Sequence, residues 1–384
     1  MPDIVVVGGG PAGSTSATLL AGSHDVTVVE DHERSGVPLQ CTGLISPEVL
    51  ELSGVRPTIF NEFSVLRAHF PDGRTFSVDC GEVKAILIDR SELDLLLSEK
   101  AMDAGAEYLM SERCRSCDIG RDGVKISLSS GKVLESRAVV GADGHSSVVR
   151  GAIGCEPPRM TIRGIQLDIR HECDDQDTID VWMGSDVAPG FFGWTIPYGD
   201  RVRVGLCTEW KYGAPNGYLP ALLRKAGLDG CDVLAKSCGK IPLGLQDRTY
   251  SDRTLLIGDA ACQVKPVSGG GLYPIFKSAP CLAHVLDDAL ERDDLSASRL
   301  SEYQRLWRRE VGRELKNGFR LRRIYNNLRD DELNRIGSKV DRDSVRKAMS
   351  SASIDHPSSM VLGLMRNIPL ALGLMPTILK GVMR

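Results

Sequence analysis

Between Gly141 and Arg150 the chain reads GADGHSSVVR, which places Asp143, His145, Ser146 and Arg150 within one short stretch. These are the side-chain types of nucleophilic and acid–base catalysis. Three readings fit: a hydrolase-like nucleophile cluster, an ordinary polar loop, or one piece of a cofactor site whose other pieces lie elsewhere. Cys41, in VPLQCTGLIS, is a second reactive group. A thiol there can orient a substrate or relay a proton, although a lone cysteine is most often inert. Asp259 is a third, at the end of the apolar run in TLLIGDAACQVKPVSGGG. Cys114 and Cys117 form a CxxC pair, but a zinc site needs a second pair at matching spacing and none follows. No metal is expected; a redox pair and two small apolar strand fillers are the alternatives there.

Such groups need elements to hold them, and the first thirty residues supply the clearest ones. Ile4 to Val7 is a continuous apolar run, as in a parallel strand buried on both faces. Gly8, Gly10 and Gly13 follow in GxGxxG spacing, then an Ala/Leu-rich helical stretch to about Leu20, then the strand-like DVTVVE ending in Glu30. The pattern is that of a dinucleotide site: a tight turn at Gly8, close backbone approach to a pyrophosphate at Gly10, and close helix–strand packing at Gly13. The helix start supplies free N–H groups and partial positive charge. Glu30 is placed to accept from ribose hydroxyls and to repel a 2′-phosphate. Asp259 and Gly144 occupy comparable strand-end turns, and Gly269, Gly270 and Gly271 lead into a further helical pattern. An acid after a strand and Gly also serves simply as a helix cap.

Together the three segments resemble the linked FAD motifs of the aromatic-hydroxylase-type flavoproteins: the fingerprint at Gly8 to Gly13, ADGHSSVVR at Ala142 to Arg150, and LIGDAA at Leu256 to Ala261. The resemblance implies an FAD site of Gly8, Gly10, Pro11, Ala12, Gly13, Glu30, Asp143, Gly144, Gly258, Asp259, Gly269, Gly270 and Gly271. Within it, Asp143 would lie near the pyrophosphate and Asp259 on the ribitol. IDRSELD resembles the segment that sets an arginine on the phosphates, here Arg90; helix capping alone also explains that segment.

FFGWTIPYGDRVRVGLC is similar to a segment of the geranylgeranyl reductase family through Phe192, Trp194, Ile196-Pro197 and Gly205. Phe192 stands where that family usually has Tyr, and Cys207 replaces its last Gly. The resemblance implies that Phe192, Trp194, Pro197 and Gly205 line the cavity for an isoprenoid chain. An aromatic and a Trp two apart on a strand also read as ordinary core. Cys41, two residues before Gly43, resembles the family's Cys-Gly pair near the flavin and is the one catalytic candidate. VKPVSGGGLY (Val264 to Tyr273) resembles its flavin-side loop.

The implied enzyme is an FAD-dependent oxidoreductase saturating C=C bonds of an isoprenoid chain, like the archaeal reductases of digeranylgeranylglycerophospholipids. A flavin monooxygenase of the same fold and a non-catalytic FAD-containing lipid-binding protein are the alternatives. The implied fold is α/β (α+β): a Rossmann-like FAD-binding domain, an inserted β-sheet substrate domain, and C-terminal helices. Residues 1–158 with 251–295 form the first, 159–250 the second and 296–384 the third. Short strand-like stretches such as IRGIQLDIR and TIDVWMG fit the middle unit.

The chain as a whole agrees. Its 384 residues exceed what one compact core needs. A net charge of −4 gives no push toward nucleic acid, and eleven scattered cysteines do not suit a secreted disulfide scaffold. No signal-peptide pattern precedes Ile4, so the cytoplasm is the expected compartment. The electron donor is open between ferredoxin and NAD(P)H, since no second dinucleotide fingerprint occurs. A basic helix from Arg299 to Tyr325 suits either a solvated face or an anionic partner. The apolar repeat from Val361 to Val382 suits either core docking or a peripheral place on a membrane surface.

Overall fold

The short apolar runs foreseen as buried strands are buried at every residue: Ile4–Val7, Val26–Val29 and Ala138–Gly141. In the computed structural model, which describes residues 1–340 and 342–364, Ile4–Val7 lies between the other two and pairs with both in parallel. Thr254–Leu256 adds in parallel beside Ala138–Gly141, and Glu107–Leu109 beside Val26–Val29. Tyr250–Ser251 closes one edge antiparallel, completing six strands. Since the chain leaves Ile4–Val7 toward one side and returns to its other side, the strand order reverses there. Open α/β sheets bind ligands at the carboxyl ends of strands around such a point.

Helices Pro11–Leu20, Arg90–Asp103 and Leu272–Glu291 cover one face of this sheet, burying Leu20, Leu93, Leu97 and Leu282. A three-stranded antiparallel layer covers the other, with Cys114 and Cys117 in its apolar core. Burial pushes these two thiols up to about 11 and about 12, so both stay protonated fillers at neutral pH. The helix Ala297–Trp307 is tied to the sheet by the Tyr303 hydroxyl donating to Leu256 O (2.9 Å) and Trp307 Nε1 donating to Thr249 Oγ1 (3.0 Å).

The second sheet has seven strands in the order Val233–Leu243, Met160–Arg170, Arg201–Glu209, Gly193–Tyr198, Thr178–Trp182, Val65–His69 and Thr75–Asp79. Its last two strands come from residues 65–79, inside the stretch assigned from sequence to the first unit. Val65–His69 joins by pairing in parallel with Thr178–Trp182. Alternation along Arg201–Glu209 sends Val202, Val204 and Leu206 to a back core with Leu219 and Leu222. Arg203, Gly205 and Cys207 are left on the front. The predicted basic helix is Ala297–Trp307 and Arg313–Asn326, joined by a π-helical turn at Arg308–Gly312. The C-terminal apolar repeat lies outside the described residues from Met365 onward.

Candidate cofactor and substrate site

The three glycine-bearing turns touch one another. Gly8 has φ +101°, and a Cβ there would sit 2.4 Å from Ala142 O, so the first turn abuts GADG. A Cβ on Gly13 would fall 1.8 Å from Gly8 O, which is the close helix–strand packing that the spacing implied. Gly258 would put its Cβ 2.8 Å from the Cβ of Ala12, in the first turn of the helix that Pro11 opens. Around Gly10 nothing lies within 4 Å of a Cβ, so its backbone faces open space. Gly144 is likewise open, with φ +73°.

The acids take distinct roles. Glu30 is buried and accepts from Gly9 N (2.7 Å), while its other oxygen accepts from His32 N (3.0 Å) and contacts His32 Nδ1 (2.6 Å). It therefore holds the glycine turn itself. Asp143 accepts from Ser147 Oγ (2.5 Å), Val148 N (2.6 Å) and Val149 N (3.2 Å), so its carboxylate is spent on the start of its own helix. His145 contacts Thr161 Oγ1 (3.0 Å) with one ring nitrogen and Ser146 Oγ (3.3 Å) with the other, leaving neither for the carboxylate a triad needs, and Ser146 is exposed. Arg150, by contrast, bridges the motifs: it donates to His145 O (2.6 Å) and to Ala260 O (3.3 Å).

Asp259 lies deep in the molecule but keeps partial solvent access. Burial pushes it up to about 6, against the opposing pull of Arg90 and Arg150. Arg90 is the first residue of its helix, behind the Asp89 cap, and forms an ion pair with Asp94. Burial works to lower its pKa, yet Asp94, with Cys41 and Asp259 beyond, holds it above the ordinary value. The buried Arg90 Nε has no hydrogen-bond partner. An orphaned guanidinium N–H, an open glycine backbone at a helix start and an acid at a strand end fit the phosphates and ribitol of FAD. Gly271 caps the helix Leu272–Glu291, and a Cβ on it would lie 3.5 Å from Asp259; a Cβ on Gly270 would meet Lys265 at 2.9 Å, and one on Gly269 (φ +79°) would meet Ile241 at 3.1 Å and Phe191 at 3.3 Å. Val264, in the same loop, packs with Ile162, Cys207 and Leu243 of the second sheet.

On that sheet Phe192 stacks on buried Phe191 (4.5 Å between centroids) and meets Trp194 edge-on at 6.3 Å. Trp194 lies across its partner Gly205, where a Cβ would come within 2.4 Å of the indole. The structure thus brings Phe192, Trp194 and Gly205 to one face. It does not bring Pro197 there: three residues from Trp194, it points to the opposite face, lining a cavity of about 300 Å³ with Arg67, Asp180 and Thr195. Cys41 is exposed, in a loop held by Arg203 donating to Thr42 O (2.6 Å). Arg203 itself is forked onto Asp168 at 2.7 and 3.0 Å. This clamp was missed in the sequence, where its signal is a cation alternating with valines in RVRVG. A cavity of about 490 Å³ lies between that loop, Arg90 and the sheet, lined also by Tyr198 and Arg203.

The FAD binding domain family matches residues 1–309. A digeranylgeranylglycerophospholipid reductase of Methanopyrus kandleri is 31% identical, over 94% of this chain and 96% of its own. The structure of a geranylgeranyl bacteriochlorophyll reductase-like protein from Thermoplasma acidophilum superposes with TM-score 0.86 at 22% identity, covering 98% of this chain and 99% of that one. The halogenase PltM in complex with FAD shares the fold at TM-score 0.68 and 14% identity, over 98% of this chain and 85% of its own.

Proposed function

The chain belongs to the digeranylgeranylglycerophospholipid reductase family of FAD-binding proteins, and from that premise we propose that it saturates C=C bonds in the geranylgeranyl or related isoprenoid chains of a membrane lipid. It is an FAD-dependent oxidoreductase. Bound and reduced FAD supplies the hydride for such a step. The chain's own residues must hold the cofactor, place the alkene and keep water out, because an isolated C=C has no carbonyl to stabilise developing charge.

Gly8, Gly10 and Gly13 with Arg90 hold the phosphates, and Asp259 the ribitol. Asp143 and Glu30 act one step back, by fixing the turns that do so. Phe192 and Trp194, over Gly205, form the apolar wall against which the isoprenoid lies. Cys41 is the candidate for orienting the substrate or relaying the proton. The observation that carries the reading is that Val264 shares one apolar cluster with Phe191, Phe192 and Trp194, so the loop from Val264 to Tyr273 lies against the aromatic segment. The donor is ferredoxin or NAD(P)H.

Anaerobic mixing of the reduced holoprotein with a geranylgeranyl lipid tests the proposal. Flavin reoxidation with loss of alkene protons is the expected result. Turnover only with oxygen would reassign it as a hydroxylase, and binding without reoxidation as a carrier.

A further inference from the structure

The helix Arg313–Asn326 has two very different faces. Inward, Arg322 donates to Pro266 O (2.9 Å), Val267 O (2.6 Å) and Gly190 O (3.1 Å), and the Tyr325 hydroxyl to Phe191 O (2.5 Å). It therefore backs both the flavin-side loop and the aromatic segment. Outward, Arg309, Arg313, Lys316, Arg320 and Arg323 are all exposed at alternating spacings of four and three. Arg313, Lys316, Arg320 and Arg323 draw a single stripe along one face of the α-helix, about 15 Å long at 1.5 Å per residue, and Arg309 precedes it in the π-helical turn. Among the described residues Arg313, Lys316, Arg320 and Arg323 make no salt bridge, and only Arg309 reaches a carboxylate, Glu310, at 3.6 Å. Glu314, the one acid between 311 and 328, is buried with its oxygens taken by Ser358 and Ser359.

The C-terminal end of the helix meets an aromatic corner. The Tyr212 hydroxyl donates to Asn326 O (3.2 Å), at the end of the same helix and one turn beyond Arg323. Next to it Trp210 is 54% exposed, with the Arg163 guanidinium 4.1 Å and the Lys240 ammonium 5.9 Å from its ring. An exposed indole ringed by cations, beside a straight row of unpaired cations, combines an apolar body with positive charge in one surface. That combination suits the interface of an anionic bilayer, where Trp and Tyr sit at headgroup depth and Lys/Arg meet the lipid phosphates.

We propose that the Arg313–Arg323 stripe and the Trp210–Tyr212 corner dock the protein on an anionic membrane surface, with the aromatic segment one helix thickness away. The inference rests on the isoprenoid-lipid reading of the site: docking at this surface keeps the protein beside the bilayer that carries its lipid substrate, and the stripe cations bind the bilayer rather than the substrate. An acidic carrier protein is the competing occupant, but it gives no role to the exposed Trp210 ring.

The test is vesicle co-sedimentation of the holoprotein with phosphatidylglycerol-containing and with pure phosphatidylcholine vesicles, at low and high salt. Binding to the anionic vesicles alone, lost at high salt, is expected. Each basic side chain near an anionic leaflet is worth about fivefold in binding. The quadruple variant R313Q/K316Q/R320Q/R323Q should then bind on the order of several hundred-fold more weakly, and Trp210→Ala several-fold more weakly. Both should keep full FAD content and turnover of detergent-dispersed substrate. Equal binding to both vesicle types, or unchanged binding by the quadruple variant, would overturn the proposal. So would vesicle indifference with salt-sensitive oxidation of an acidic ferredoxin, which would assign the stripe to the donor. If the variant does not fold, the lipid and salt dependence of the unaltered protein still decides. Failure of the detergent assay with vesicle binding intact would sink the reductase reading and leave the surface standing.

Discussion

Replacing Asp259 by Asn should make the FAD-free protein more stable at neutral pH while making it worse at holding FAD. Without the cofactor, burial raises the Asp259 carboxyl to about 6 from an ordinary 3.8. The folded protein then binds this proton more tightly than the unfolded chain does. The contribution is therefore fully present below about pH 4 and lost as pH rises through about 6. A difference of roughly two pKa units corresponds to about 3 kcal/mol, an upper bound because water reaches the carboxylate. Asn carries no charge, so the variant escapes that loss. Ribitol hydroxyls that would hydrogen-bond to the carboxylate, each contributing about 1.5–3 kcal/mol to a charged acceptor, lose that strength with Asn. FAD should then bind about 10- to 100-fold more weakly. Denaturant unfolding of the FAD-free proteins from pH 4 to pH 8, with fluorescence titration of FAD at pH 7, reads both effects. Parallel stability curves for the two proteins, or an unchanged FAD affinity, would refute the reasoning.

Asp143→Ala removes the acceptor for Val148 N and Val149 N, so about 1–2 kcal/mol of stability should go with it. Measured by absorbance, flavin retention should fall while turnover per bound flavin is kept; full flavin with lost turnover would sink the positional role. Gly205→Ala drives a methyl to 2.4 Å from the Trp194 indole. It should raise KM for the isoprenoid at least several-fold, by analogy with overpacking costs of about 1–3 kcal/mol, at unaltered FAD content. Arg90→Gln leaves Asp94 buried and unpaired and removes the orphaned N–H; FAD affinity should drop by about tenfold or more, checked by calorimetry with the double variant R90Q/D94N separating charge from contact.

What the sequence made legible, and what it did not, divides along a physical line. Residues 8–13, 141–150 and 256–271 were recognisable because their constraints are local: a left-handed turn at Gly8 or Gly258, a close approach at Gly13, a strand of unbroken Val and Ile. Parallel pairing through Ile4–Val7 then brings them together almost automatically. Side-chain allegiance is not local. Asp143 looked like a cofactor ligand, yet three donors within the next six residues claim its carboxylate, and Glu30 is similarly claimed by Gly9 and His32. Pro197 sits in the same motif on the opposite face from Trp194, since an odd offset reverses direction on a strand. The pairing of Val65–His69 with Thr178–Trp182, more than a hundred residues apart, leaves no turn signal to read. Arg203 marks the boundary between the two cases: its strand was visible, but its hold on Thr42 O and hence on the Cys41 loop depends on a contact 161 residues away. The placement of the Cys41 loop thus depends on a residue of the second sheet, and the local sequence around Cys41 could not have disclosed that.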